Sequence, residues 1–179
     1  VRGGRQAHPP TVKKVIFKKL NQKENKLALC SAIAATKSKE IIESRGHKTK
    51  NISDFPMIVS DKIESVLKTS EMVKILRSLN LLQDIERLKS RKPRTGKSLL
   101  RGRGTKIGKS VLFVVSKAEK LSKACNGIPG VDVQTTKNLS VLDLAPGADP
   151  IRLTVYSTTA LKEIGEIKSP HLELMVSMN

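Results

Sequence analysis

Aromatic residues are scarce: the 179-residue chain has three Phe, one Tyr and no Trp. Modules that read single-stranded RNA stack bases on several exposed rings. Phe17, Phe55, Phe113 and Tyr156 are too few for such a platform, and Phe113 lies inside an apolar run, so sequence readout by stacking is not expected. No apolar run approaches the ~20 residues of a membrane span, and no signal-peptide pattern is present. The only cysteines, Cys30 and Cys125, form no Cys-x-x-Cys pair. They fit buried small apolar side chains in a reducing compartment better than a disulfide or a metal site. His8, His47 and His171 are far apart and have no neighbouring ligand at metal spacing, so no metal is expected. His8, between Ala7 and Pro9, suits phosphate contact or stacking as well as it suits a bland surface position.

Acidic residues are missing from two whole segments. Residues 1–23 hold seven basic residues and residues 87–109 hold ten, with no Asp or Glu in either. The stretches 24–86 and 110–179 are near balance, so +17 of the net +18 sits in 46 residues. Charge serving solubility alone would be spread over the surface, with both signs interspersed. This is the layout of a polyanion-binding surface added to a neutral domain.

The second basic segment contains a Gly-Lys-Ser (Gly96, Lys97, Ser98) and a Gly-x-Gly (Gly102, Gly104). A phosphate-cradling P-loop needs a glycine five residues before Gly96, and Arg91 stands there. Pro93 removes a backbone donor from the would-be loop. Gly102 and Gly104 argue against the helix that should start at Ser98. A dinucleotide fingerprint would place its third glycine at Ile107. Neither motif stands.

Periodicity places the elements. Residues 2–10, with two glycines and a Pro-Pro pair, read as extended and irregular. A helix capped by Asn21 and Glu24 carries Leu27, Cys30, Ile33, Ala34 and Ile41 at helical spacing and stops at Gly46. "PMIVS" at 56–60 reads as a buried strand. Asp61 with Glu64 caps a second helix with Ile63, Val66, Leu67, Val73 and Leu76 on one face, ending near Asn80. The unbroken run in "SVLFVV" at 110–115 predicts a central strand covered on both faces. "KAEKLSKACN" predicts a short helix, 131–133 an edge-like strand, 152–156 another strand, and 158–166 a helix. The pattern predicts an α/β fold, an open and mostly parallel sheet flanked by helices. The basic segment then interrupts it as a loop of about 20 residues, a length that loops reach chiefly for function or in disorder.

Catalysis has no candidate set. The sequence shows no Gly-x-Ser-x-Gly elbow, His-Glu-x-x-His or carboxylate pair on a strand-to-helix turn. Asp143, before Leu-Ala-Pro-Gly, reads as a helix-end or turn residue. Neither enzymatic activity nor a cofactor is expected.

"GGRQAHPP", "LALCSAIAAT", "ESRGH", "VLFVVS" and "DLAPGADPIRLTVYSTTAL" together resemble universal large-subunit ribosomal protein four in its archaeal and eukaryotic branch, in order from about residue 1 to 166. The resemblance implies an α/β domain with extended basic segments bound to large-subunit ribosomal RNA. It also implies an arm that reaches the peptide exit tunnel, a role in early subunit assembly, neighbouring ribosomal proteins as partners, and a cytoplasmic location within the large subunit. Neither a membrane nor a small-molecule substrate belongs to that picture. Residues 1–20 would be the returning limb of the arm, 21–167 the globular domain with a basic loop inserted at about 87–109, and 168–179 a C-terminal tail of unknown structure that departs from the family pattern. The family's first strand and most of the arm's tip fall outside the matched pattern. The RNA-contacting residues are then expected to be Arg2, Arg5, His8, Lys13, Lys14, Lys18 and Lys19 in the arm. In the loop they are Arg91, Lys92, Arg94, Lys97, Arg101, Arg103, Lys106 and Lys109. The rival reading is an RNA-docking domain of an RNA-modifying enzyme, for which a glycine-rich turn would be expected after "VLFVVS". Lys117, Ala118 and Glu119 stand there instead.

Overall fold

Helices and strands alternate along the chain, as an α/β fold requires. The computed structural model describes residues 2–49, 52, 54–88, 92–106, 108–149 and 151–167. Among them α1 (Gln22–Ala35) and α2 (Lys39–Ser44) precede β1 (Met57–Val59). A 3₁₀ turn at Asp61–Ser65 leads to α3 (Thr69–Ser78) and α4 (Leu82–Arg87). Then come β2 (Lys92–Pro93), α5 (Lys97–Leu100), β3 (Thr105–Lys106), β4 (Leu112–Val115), α6 (Glu119–Cys125) and β5 (Asp132–Thr135). The series ends with α7 (Val141–Leu144), β6 (Thr154–Ser157) and α8 (Thr158–Gly165).

The main sheet has the order β1–β6–β4–β5, and every neighbouring pair is parallel. Each residue of β4 is buried, which requires cover on both faces. Side chains alternate accordingly. Val111, Phe113 and Val115 pack with Met72, Leu76 and Leu121 on one face, while Leu112 and Val114 pack with Leu144, Tyr156 and Ala160 on the other. The expected parallel α/β sheet is what the chain builds. β1 lies at the sheet edge with Ile58 exposed, so it is less buried than its apolar run implies.

Two helices differ from expectation, each for a local reason. The helix beginning at Gln22 is capped by Asn21, whose Oδ1 accepts the Lys23 N–H at 3.1 Å. It ends at Ala35 instead of running on to Gly46. The Thr36 hydroxyl donates to the Ile33 carbonyl at 2.6 Å, competing with the helical ladder, and the chain restarts as α2. Leu27 and Ile41 consequently point outward, while Ala32 and Ile42 are buried. Similarly, Asp61 and Glu64 do not cap a continuous helix. The Glu64 carboxylate instead accepts the N–H groups of Ser116 (2.9 Å) and Lys117 (3.2 Å) and the Ser157 hydroxyl (2.8 Å). This pins the 3₁₀ turn over the strand ends, and α3 begins only at Thr69.

Cys125 lies in the core, where burial pushes its thiol up to about 12, and Cys30 is only half-buried. Asp143 caps α7 as a helix-end residue, its Oδ2 accepting the Ser140 N–H (3.0 Å) and hydroxyl (2.6 Å). The tail expected at 168–179, with His171, lies outside the described residues.

Leu112 sits at 0% exposure between the two layers. Leu112→Ala is expected to cost about 2–5 kcal/mol in urea denaturation, as a core cavity. Leu100→Ala, at a residue 86% exposed, is expected to stay within about 0.5 kcal/mol of the parent.

Candidate nucleic-acid interface

The basic segment is a built element rather than an irregular loop. β2 pairs with β3 antiparallel, Lys92 opposite Lys106 and Pro93 opposite Thr105, and the Arg94 N–H extends the ribbon to the Gly104 carbonyl at 2.8 Å. Between the strands lies α5, one turn of helix entered at Gly96 (φ 65°) and left at Gly102 (φ 73°). Gly102, expected with Gly104 to argue against a helix here, instead ends the turn, where positive φ is needed, and Gly104 lies beyond it in the ribbon. A two-residue antiparallel strand before a single helical turn is not the strand–loop–helix setting of a P-loop.

Positive charge covers this ribbon. Lys97, Arg101, Arg103 and Lys106 are exposed and Arg94 is half-buried. Among the described residues no carboxylate forms an ion pair with any of these five. Arg91 lies outside the described residues, and Lys92 is described only through its backbone pairing. Lys109 differs from the rest, since its Nζ is 2.8 Å from Asp132 Oδ2. It belongs to the ribbon's root.

That root is a buried polar clamp, which sequence reasoning missed. Asp84 has no exposed surface. Its carboxylate meets His47 Nδ1 (2.9 Å) and accepts the Ser110 hydroxyl (2.5 Å), the Lys48 N–H (3.1 Å) and Arg87 Nε–H (3.1 Å). The Leu153 N–H donates to His47 Nε2 at 3.4 Å, so Nδ1 carries the hydrogen given to Asp84. Burial alone would raise the Asp84 carboxyl, but the His47, Ser110 and Lys48 hydrogen bonds outweigh it and hold the group well below the usual carboxylate range. Beside it, the buried Arg152 guanidinium donates to the carbonyls of Ser110 (2.8 Å), Val111 (2.9 Å) and Gly130 (3.0 Å) and to Asp132 Oδ2 (2.6 Å). Leu88 closes the root against two glycines, Gly108 and Gly130. A Cβ on Gly130 would collide with Leu88 Cδ1 and with the Gly108 carbonyl, and Gly130 also has φ +76°. No other residue fits there.

The arm, residues 2–20, is exposed throughout. Arg2, Arg5, His8, Lys13, Lys14, Lys18 and Lys19 all face outward, and so do Val12, Val15, Ile16, Phe17 and Leu20. His47 is the opposite case: nothing in its sequence neighbourhood signals the burial it has here.

The carboxyl ends of the strands, where α/β folds commonly bind nucleotides, border a cavity of about 550 Å³ lined by Asp61, Glu64, Ser116 and Lys117, among others. Glu64 takes up the two backbone donors there that could have faced a phosphate. Glu163 likewise accepts the hydroxyls of Ser116 (2.6 Å) and Thr136.

The clamp carries a pH signature. A carboxyl depressed by folding stabilises the fold above its unfolded value of about 3.9 and loses that contribution as pH falls toward its folded value. Unfolding free energy is therefore expected to decline as pH drops below about 4, with a flatter acid limb in Asp84→Asn. Asp84→Ala at neutral pH is expected to cost about 3–5 kcal/mol, since it strands buried partners. Denaturant titrations across pH check both.

The family model described as "Ribosomal protein L4/L1 family" matches residues 1–167. The chain is 44% identical over 164 residues to large ribosomal subunit protein uL4 of Haloquadratum walsbyi, covering 91% of this chain and 65% of that protein. It is 44% identical over 165 residues to the Methanococcus aeolicus protein of the same name, covering 92% and 66%. For that of Methanosphaera stadtmanae the identity is 40% over 166 residues, covering 92% and 64%. This chain thus spans just under two thirds of the length of the curated relatives it matches. With nearly its whole length matched, the chain belongs to the ribosomal protein L4/L1 family.

Proposed function

We propose that this chain is a structural constituent of the large ribosomal subunit. It binds large-subunit ribosomal RNA, supports early assembly of that subunit, and through its extended arm helps form the region around the peptide exit tunnel. Its partners are ribosomal RNA and neighbouring large-subunit proteins, in the cytoplasm. Residues 1–20 act as the returning limb of the arm and 21–167 as the globular domain with the basic segment inserted at about 87–109. That the matched relatives are named as large-subunit proteins supports this particle.

The observation that carries the RNA reading is the placement of charge. Nearly all the net charge lies on the arm and the ribbon, and the ribbon's exposed cations have no carboxylate partners among the described residues. Lys and Arg held this way grip phosphate without reading sequence. In the arm, Arg2, Arg5, His8, Lys13, Lys14, Lys18 and Lys19 serve this role. In the ribbon it falls to Arg91, Lys92, Arg94, Lys97, Arg101, Arg103 and Lys106, with Lys109 shared between Asp132 and the RNA.

The rival, an RNA-docking domain of a modifying enzyme, would keep backbone donors free at the carboxyl edge for a nucleotide or methyl donor. Glu64 takes two of those donors, which favours the scaffold. The chain contributes position and charge rather than chemistry.

Replacing Arg94, Lys97, Arg101 and Arg103 together by Ala is expected to weaken binding to large-subunit ribosomal RNA. The log–log salt slope should flatten by about 0.7–0.9 for each phosphate contact removed. Thermal stability should hold, because the four side chains lie outside both apolar clusters. An unchanged salt slope would remove the ribbon from the interface.

A further inference from the structure

The arm exposes more apolar surface than phosphate binding can use. Val12, Val15, Ile16, Phe17 and Leu20 are 74–105% exposed, and none joins either core cluster. Phe17 is 81% exposed, whereas Phe113 and Tyr156 are buried and Phe55 is half-buried. Scattered exposed leucines are ordinary, but contiguous exposed apolar residues mark an interaction surface. Lysine pairs flank its central run of Val15, Ile16 and Phe17, with Lys13 and Lys14 before it and Lys18 and Lys19 after it, and no acidic residue occurs in residues 1–23. An apolar protein surface would gain nothing from four cations. An occupant that is anionic along its length and apolar on flat faces matches both features, and unpaired nucleotides have that chemistry. The ribbon tip repeats the combination, with Leu100 86% exposed beside Lys97, Arg101 and Arg103.

We infer that Phe17 is a base-stacking anchor. Its ring lies against an unpaired base of the bound RNA while the flanking lysines hold the adjacent phosphates. One ring cannot read a sequence, because every base offers a π-face. It can fix where the arm sits on a chain of otherwise equivalent phosphates. Val15 and Ile16 would wedge beside it, as apolar side chains do between unstacked bases. The inference rests on the RNA-binding reading but draws on a different force, so the two can fail separately.

The test uses the full chain and two RNA probes, a hairpin with a bulge of unpaired adenines and a fully paired hairpin with the same number of phosphates. Phe17→Ala is expected to lose roughly 5- to 150-fold in affinity for the bulged hairpin, the cost of one stacked base. Its salt slope should match the parent's, and the paired hairpin should be little affected. Phe17→Leu is expected to lose most of the same affinity, since it keeps apolar bulk but not the ring. Phe17→Trp should retain binding. Because the chain has no Trp of its own, quenching of the introduced indole's fluorescence by the bulged hairpin would report the stack directly. Parent-like binding of the bulged hairpin by Phe17→Ala would overturn the inference. So would full affinity in Phe17→Leu with unquenched indole emission in Phe17→Trp, which points to an apolar protein contact instead. Loss of the salt slope in the ribbon variant with no effect at Phe17 would leave the RNA reading standing and the anchor refuted.

Discussion

The hydrogen-bonded carboxylate of Asp84, with Arg152 beside it, is the constraint on which the ribbon's position depends. A basic ribbon repels itself and brings little apolar surface to hold it in place, so its base must be fixed by something other than hydrophobic burial. Asp84 ties the end of α4 to Ser110 at the start of the central strand, and to His47 and Lys48 from the chain after α2. Arg152 gathers carbonyls from Ser110, Val111 and Gly130 into one fork. A guanidinium suits this place because its donors are rigid and planar. Buried charges are costly unless hydrogen-bonded, and each buried nitrogen and oxygen of these two side chains has a partner.

The division of labour follows from that constraint. The α/β layers provide a rigid base, the clamp fixes both ends of the ribbon to it, and the cations face outward. Lys109 marks the boundary, since it neutralises Asp132 while Arg94, Lys97, Arg101, Arg103 and Lys106 lack such a partner among the described residues. At the opposite end of the strands the chain's own carboxylates, Glu64 and Glu163, take up the local donors. The polar groups at the two ends of the sheet therefore do different things. At the amino end they hold an outward-facing element, and at the carboxyl end they close the domain on itself.

Apolar runs made the sheet legible, because "VLFVV" has no alternation and a strand without alternation must be covered on both faces. Helix limits were harder to read. Thr36 breaks α1 through a side-chain hydrogen bond that competes with helix, and Glu64 spends its carboxylate on residues 52 and 93 positions away. No local pattern encodes such partners. The ribbon was hidden for a related reason: two-residue strands held by backbone pairing and turned by glycines have no hydrophobic period. The clamp did leave a trace, with Asp84 set among Leu81, Leu82 and Ile85, and Arg152 between Ile151 and Leu153. A lone charge inside an apolar stretch signals a buried partner, though not which one. The candidate cations were legible by type and placement, except that Lys109's partner lies 23 residues away.

On the function proposed above, an arm and a ribbon fixed to a rigid base hold the chain in a ribonucleoprotein particle. Sedimentation of cell extract through a gradient after a high-salt wash tests it most directly. Exposed contacts made by charge alone are screened by salt, whereas segments embedded in folded RNA stay in place. The chain is expected to remain with the large ribosomal subunit after the wash. Recovery of the chain at the top of the gradient, with the subunit otherwise intact, would contradict it.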